Sequence, residues 1–415
     1  MTKNQDKFSL SYTELKTQLH NIAPIKYVVN RNFLTGDITR LGPFITHGII
    51  STQDLAAVAL NQATEQHQQT LEKFVFQLAW RDFFHRVWQH NGEDIFQYLH
   101  ESQLTFGCIR GQMPQAILDA NTGISVLDHA LQQLYTTGYI HNHARMWLAF
   151  AIANLAHTDW IVGAKWMYFH LLDGDLASNT LSWQWVAGTF SKKQYIANQE
   201  NLNKYSPTHL SQANTFLDVS YEQLAKLVTP EELLARANAE LTTPEFEFTA
   251  LEVVINQISA KIGRQKNQIF LSSMFHLDTN WHANEEAYQI VLIEPDCLEK
   301  FPISAKRIDF IQHWLGQIQA INASTVVIVK ANFKDFAQAL PAGIELCYQK
   351  HNACQHWHYE NAQIEPYPWL FSNLSGDYSS FFSFWKKAKK QLTNSQWQAE
   401  MQANCAHTSF NDYAA

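Results

Sequence analysis

Two aspartates, an arginine and an asparagine offer this chain its richest local chemistry. Asp173 and Asp175 flank Gly174, whose missing Cβ lets a ligand approach the backbone closely. Arg145 is a strong cation in the same stretch. A buried arginine–carboxylate pair beside a heterocycle tunes the charge that the ring can hold. Asn179 carries a donor and an acceptor on one amide, so it can face a ring nitrogen whose protonation changes. Trp183 follows four residues later, on the same face if the segment is helical. Each residue also has an ordinary reading: aspartate as helix cap, tryptophan as core, Arg145–Asp173 as an ion pair. Taken singly, none of them assigns a function.

The elements that must position these residues follow from periodicity. Residues 10–200 read as helical, with apolar residues at helical spacing in Leu71–Val87, Val126–Leu134 and Met146–Ala156. Residues 205–260 read as a linker with two helices, one starting at Thr229-Pro230-Glu231-Glu232 with threonine as N-cap. Beyond residue 266 the pattern changes. Gln268–Ser273, Gln289–Glu294, Ser324–Lys330, Glu345–Tyr348 and Gln355–Tyr359 read as strands, and Ala305–Ala320 and Phe333–Leu340 as helices. Such alternation predicts a small parallel-sheet domain over 263–415, after a helical domain over 1–208 and a helical linker over 209–262. Neither GxGxxG nor GxxxxGK[ST] is present.

Composition narrows the class. With 46% apolar and 16% charged residues in 415, the chain is a globular protein of two or three domains rather than a disordered one. The apolar run near Trp147–Ala156 is too short to span a bilayer, and the polar N-terminus has no secretory h-region, so a cytoplasmic monomer without membrane contact is expected. The net charge of −8 is not that of a nucleic-acid binder, although the acidic excess lies mostly after residue 210. Cys108, Cys297, Cys347, Cys354 and Cys405 are scattered, which argues against a disulfide framework. Cys354-x-His356-x-His358 reads as one face of a strand rather than a zinc site, which usually wants two close ligand pairs; no metal is expected. The 13 tryptophans are many for this length; most are core, and in a redox protein some relay electrons.

Taken together, the polar residues resemble the flavin-binding signature of the photolyase/cryptochrome family. The matching residues are Tyr139, His141-Asn142, Arg145-Met146, Asp159-Trp160, Asp173-Gly174-Asp175-Leu176-Ala177-Ser178-Asn179 and Trp183-Gln184-Trp185, in order and with relative spacing kept. Tyr27, Arg31-Asn32 and Gly36-Asp37-Ile38-Thr39-Arg40-Leu41 are similar to the family's phosphate-binding turn, from which Ile38 and Gly42 depart. Phe74 to Phe84 is similar to its W-R-[DE]-[FY]-[FY] helix, with Gln77 in place of the usual glutamate. The resemblance covers residues 25–205.

What the resemblance implies is an all-helical domain holding a U-shaped FAD. It assigns Tyr27, Thr39, Arg40, Leu41, Phe74, Arg81, Tyr139, Asn142, Arg145, Asp173, Asp175 and Asn179 to the flavin. It assigns Asn142, Met146, Gln77, Trp80 and Trp185 to the lesion, and Trp183 and Trp160 to electron transfer. A third tryptophan is missing near Phe106–Cys108, which leaves Trp147, Tyr139 or Trp88 as substitutes. Asn179, Asn142 and Met146 resemble members that repair cyclobutane pyrimidine dimers in UV-damaged DNA by electron transfer from reduced FAD. The alternative is a photoreceptor that binds FAD without repair, to which Gln77, His143 and the acidic charge lean. Family members begin with an α/β antenna domain. Here a segment similar to its end, Tyr378-Ser379-Ser380-Phe381-Phe382-Ser383-Phe384-Trp385, lies near the C-terminus, so a circular permutation is expected. A second, antenna chromophore has no motif of its own.

Overall fold

The computed structural model describes residues 8, 10–62, 68–100, 108, 111–191, 193–261, 267–278, 280–285, 287–321 and 325–407. Among the described residues up to 205 the chain is mostly helical, and local capping sets several helix ends. Ser51 and Asp54 form a reciprocal box before Thr52–Asn61. His141 caps Asn142–Ala149, Asp159 caps Trp160–His170, and Asp175 caps Leu176–Ala187. Gly138 and Gly188 end two helices at φ 68° and 76°, the left-handed region that glycine enters without a Cβ penalty. The polar residues singled out by chemistry therefore sit where helices begin, and their carboxylates and backbone are placed by the helix start itself. Gln68–Asn91, the longest of these helices, spans 24 residues. Past Ala149 the Asn142–Ala149 helix continues as a wider π-turn over Phe150–Leu155.

Of the two helices expected over 205–260, the one starting at Thr229 is not formed, whereas a helix over Leu251–Lys261 is. Between 206 and 250 only Tyr221–Leu224 and short 3₁₀ turns at Thr208–Leu210 and Glu231–Leu233 are helical. Thr229 does not cap a helix; its hydroxyl donates to Leu155 O at 2.9 Å, so a tertiary partner takes the group that local pairing would have used. Just beyond, β2 (Arg236–Ala237) pairs antiparallel with β1 (Met113–Pro114) and ties the linker to the helical domain. The helix Leu251–Lys261 then leads into the α/β region.

The α/β region is a five-stranded parallel sheet of β3 (Gln268–Ser273), β4 (Tyr288–Ile293), β5 (Thr325–Lys330), β6 (Glu345–Gln349) and β7 (Ala362–Glu365), in the order β5-β4-β3-β6-β7. The chain winds outward from β3 in one direction, then crosses back beside β3 to go the other way, as doubly wound folds do. β4 is buried along its whole length, as a central parallel strand must be. The Gln355–Tyr359 strand expected from sequence is absent: this stretch is a turn and an irregular segment after the 3₁₀ turn Asn352–Cys354, and β7 begins only at Ala362. One apolar cluster runs without a break from helical residues such as Phe44, Phe83 and Tyr168 to Phe310, Trp314 and Phe384 of the α/β region. Among the described residues no helix is long and apolar enough to cross a membrane.

Candidate functional site

The site is built around the turn between Trp160–His170 and Leu176–Ala187. Asp175 is buried and uses both oxygens: Oδ1 accepts the Ser178 N–H at 2.7 Å, and Oδ2 accepts Arg81 Nη1 at 2.7 Å and His85 Nε2 at 2.9 Å. Arg81 and His85 are four residues apart on Gln68–Asn91, hence on one face of it. Burial works against the Asp175 charge, but the Arg81 guanidinium, His85 and the Ser178 N–H outweigh it and hold the carboxyl well below its usual range. Both oxygens of Asp173 accept from Arg145 Nη2, at 2.9 and 2.8 Å, and Arg145 Nε donates to Ile140 O at 3.0 Å. The Arg145 guanidinium lies 5.3 Å from the Tyr139 ring centroid, and Arg40, at φ 55°, lies 6.0 Å from the same ring. Burial pushes the Tyr139 phenol up to about 12, reinforced by Asp173 and opposed by the two arginines.

Two glycines acquire reasons that sequence did not supply. A Cβ on Gly42 would stand 2.6 Å from Asp173 Oδ2, so a residue larger than glycine at this departure from the family turn displaces the carboxylate. A Cβ on Gly174 would meet Arg307 Nη1 at 2.8 Å and Tyr168 O at 2.9 Å. Gly174 thus serves close packing within the protein.

The remaining expected residues fall into two groups. Asn179 donates its Nδ2 to Ala164 O at 2.9 Å, which fixes the amide and leaves Oδ1 as its acceptor end. Trp183 is buried against the Trp160–His170 helix at Gly163, where a Cβ would lie 2.5 Å from two of its ring atoms. Trp160 is buried at the start of that helix, and the ring beside it is Tyr98, edge-on at 5.7 Å. Trp147 and Trp88, the substitutes considered from sequence, meet His143 and His85 instead. Of the stretch that lacks the third tryptophan, Phe106 lies outside the described residues, and Cys108 is 3.8 Å from the Tyr98 hydroxyl. Tyr27 packs edge-on against Phe74, Thr39 Oγ1 accepts the Leu41 N–H at 3.4 Å, and Leu41 is fully buried.

Asn142 is exposed, with Nδ2 3.8 Å from Met146 Sδ one turn on. Gln77 is half-buried on the face of Gln68–Asn91 that carries Trp80. The Trp80 ring stacks on Phe381 with centroids 3.6 Å apart and planes 6° apart, whereas Trp185, 37% exposed, meets Tyr195 at 5.8 Å. The two tryptophans that the resemblance assigns to the lesion therefore have separate aromatic partners, and one face of Trp80 is taken.

Sequence reasoning missed the residues that reach the site from the far end of the chain. Arg307, fully buried, donates Nη2 to Gly174 O at 2.9 Å and Nε to His47 Nε2 at 3.3 Å. Tyr367 stacks on His85 at 5.3 Å and faces Arg81. Asn352 donates to His85 O at 2.7 Å. No local pattern assigns these residues to the site, because each acts across the boundary between the two halves of the chain. At Cys354-x-His356-x-His358, Cys354 is buried and His356 Nε2 lies 3.0 Å from both oxygens of Glu294, so Glu294 and not a second cysteine pair is its neighbour.

The donor set fits FAD chemically: Arg40 and Arg145 are cations for a diphosphate, and Asn179 offers an acceptor for a ring edge. Residues 74–215 match the FAD binding domain of DNA photolyase. A deoxyribodipyrimidine photo-lyase of Streptomyces griseus is 36% identical over 157 residues, 38% of this chain and 33% of that protein. A chloroplastic/mitochondrial cryptochrome DASH of Ostreococcus tauri is 32% identical over 169 residues, 39% of this chain and 30% of that one. The crystal structure of a Synechocystis cryptochrome aligns with a TM-score of 0.41 at 22% identity, over 49% of this chain and 46% of that one. The matched stretch spans about a third of the length of these curated relatives.

Proposed function

We propose that this chain, whose residues 74–215 match the FAD binding domain of DNA photolyase, is a light-driven repair enzyme for cyclobutane pyrimidine dimers in DNA. The observation that carries this reading is the exposed Asn142 meeting Met146 in the same short helix whose Arg145 grips Asp173. That helix brings side chains suited to a base edge next to those suited to a flavin. Bound FAD, reduced and excited by light, supplies the electron.

The chain's own residues then divide the work. Asp175 stays ionised and holds Arg81 and His85 in fixed orientation. Asp173 aims Arg145, whose charge favours an electron-rich ring beside it. Asn179, anchored through Nδ2, presents Oδ1 to a proton-bearing ring atom. Gln77 offers both a donor and an acceptor to a base edge, but no charge. The damaged base must leave the stack to reach a buried ring, and Trp185 offers it an exposed indole. Tyr98, beside Trp160, is the aromatic that extends the Trp183 and Trp160 pair.

The test is repair of an oligonucleotide carrying a thymine dimer by the purified, flavin-loaded, chemically reduced protein under blue light and in the dark. Restoration of intact thymines in light alone is expected, and Trp185→Ala should weaken preference for damaged over undamaged single strands by about tenfold. A yellow protein that repairs nothing in light would sink this reading. It would leave the second one, a photoreceptor, which is favoured by the Phe381 ring lying on Trp80. If Phe381 alone blocks access, Phe381→Ala gains repair.

A further inference from the structure

Away from the flavin-type site, three donor atoms converge on one face of the sheet. Cys347 on β6 and Glu365 at the end of β7 point to the same face, two positions apart in register. His282, from the segment between β3 and β4, stacks on Phe270 of β3 with centroids 4.1 Å apart and planes 10° apart. Its Nε2 lies 2.9 Å from Glu365 Oε1 and 3.9 Å from Cys347 Sγ, and Sγ lies 3.7 Å from Glu365 Oε1. A tetrahedral zinc ion with ordinary bond lengths needs donor separations of about 3.3–3.6 Å. Small side-chain shifts bring this trio to that geometry. Among the described residues it is the group of histidine, cysteine and acidic side chains close enough to share an ion.

The surroundings are those that ligands require. Glu285 Oε1 sits 2.6 Å from His282 Nδ1, where it would accept the ring proton of a metal-bound His282 and leave Nε2 as the ligand atom. Trp281 Nε1 donates to the second oxygen of Glu365 at 2.7 Å, orienting that carboxylate as well. His282 itself takes a backbone φ of 51°, in the left-handed region. Cys347 is fully buried, while the His282 and Glu365 side chains are 22% and 25% exposed, so water has access to a fourth position. The competing arrangement is the His282 ring bridging Glu285 and Glu365 without a metal. It satisfies both ring nitrogens and leaves the thiol a long hydrogen bond to Glu365 Oε1 at 3.7 Å.

We propose that His282, Cys347 and Glu365 bind one zinc ion, completed by water, which staples the segment after β3 to β6 and β7. Neither flavin nor light enters this site, so its test stands apart from the repair reading. The full-length protein is stripped with a chelator, desalted, titrated with zinc chloride and assayed for retained metal. Wild type is expected to hold about one zinc per chain and to melt at a higher temperature with zinc than without. Cys347→Ser and Glu365→Gln should lose the tight site and the melting shift. Glu285→Gln, which removes only the outer partner, should keep the stoichiometry and weaken affinity by about 10–100-fold. Zinc that is not retained, or that binds and stabilises Cys347→Ser as it does wild type, overturns the proposal. Either result leaves the metal-free histidine–carboxylate bridge as the account of the cluster.

Discussion

At the scale of single residues, the acidic turn shows how burial and charge are reconciled. Asp175 is an N-cap, an ion-pair partner and a histidine acceptor at once, and it is 5% exposed. Removing its charge leaves Arg81 facing an amide inside the protein, the kind of loss that costs about 3 kcal/mol or more. Asp175→Asn is therefore expected to lower the urea midpoint of the flavin-free protein. Flavin retention through gel filtration should fall with it. If the midpoint and the flavin content both match wild type, the pair is not the anchor of this site. The sign of its pH dependence is clear: a carboxyl held well below its usual range stabilises the fold above the unfolded-state value of about 3.9, and that stabilisation is lost only in stronger acid.

Among the elements, the Trp160–His170 and Leu176–Ala187 helices come close because Gly163 has no side chain. Its absent Cβ makes room for the Trp183 ring. Gly163→Ala should cost about 1–3 kcal/mol by overpacking. It should also shift Trp183 and slow flavin photoreduction beyond what the loss of stability alone would cause. An unchanged photoreduction rate at reduced stability would separate Trp183 from that path. The helix Gln68–Asn91 also joins the two halves of the chain. Asp82 and Arg86, one turn apart on it, bind Leu370 N–H and the carbonyls of Phe371 and Leu374. These bonds fix the segment that precedes Phe381–Ala388, and so set where Phe381 meets Trp80.

For the molecule as a whole, the helical domain and the sheet are locked through buried neutral histidines. His47 lies 2.6 Å from Met274 O through Nδ1, so the neutral ring donates there and accepts Arg307 Nε through Nε2. Burial, with Arg307 beside it, pulls the His47 value down to about 3, and burial pulls His276 down to about 4. Both rings are neutral in the folded state and take protons near pH 6.5 once unfolded. Their contribution is complete above about pH 6.5 and declines as acid approaches the folded values. Each group removes up to about 1.4 kcal/mol per pH unit in that window. Urea midpoints should fall progressively from pH 7 to 5, and His47→Gln should flatten the slope. A level profile over that range would contradict the account.

Much of this could be read along the chain. Local order carries period, cap and motif, so β3 appears at the strand-length run Gln268–Ser273 read from sequence, and the spacing from Tyr139 to Trp185 marks the flavin domain that residues 74–215 match. The Arg145–Asp173 pair was legible because a helix start and a tight turn, both locally encoded, bring it together. Packing alone decided the rest. Arg307 reaches Gly174 from 133 residues away, Phe381 covers Trp80 from the opposite end of the chain, and His282 meets Cys347 across strands that are not sequential. Such contacts have no period to betray them. They depend on how two halves with separate local codes close on one another, and on which buried polar groups must find partners when they do.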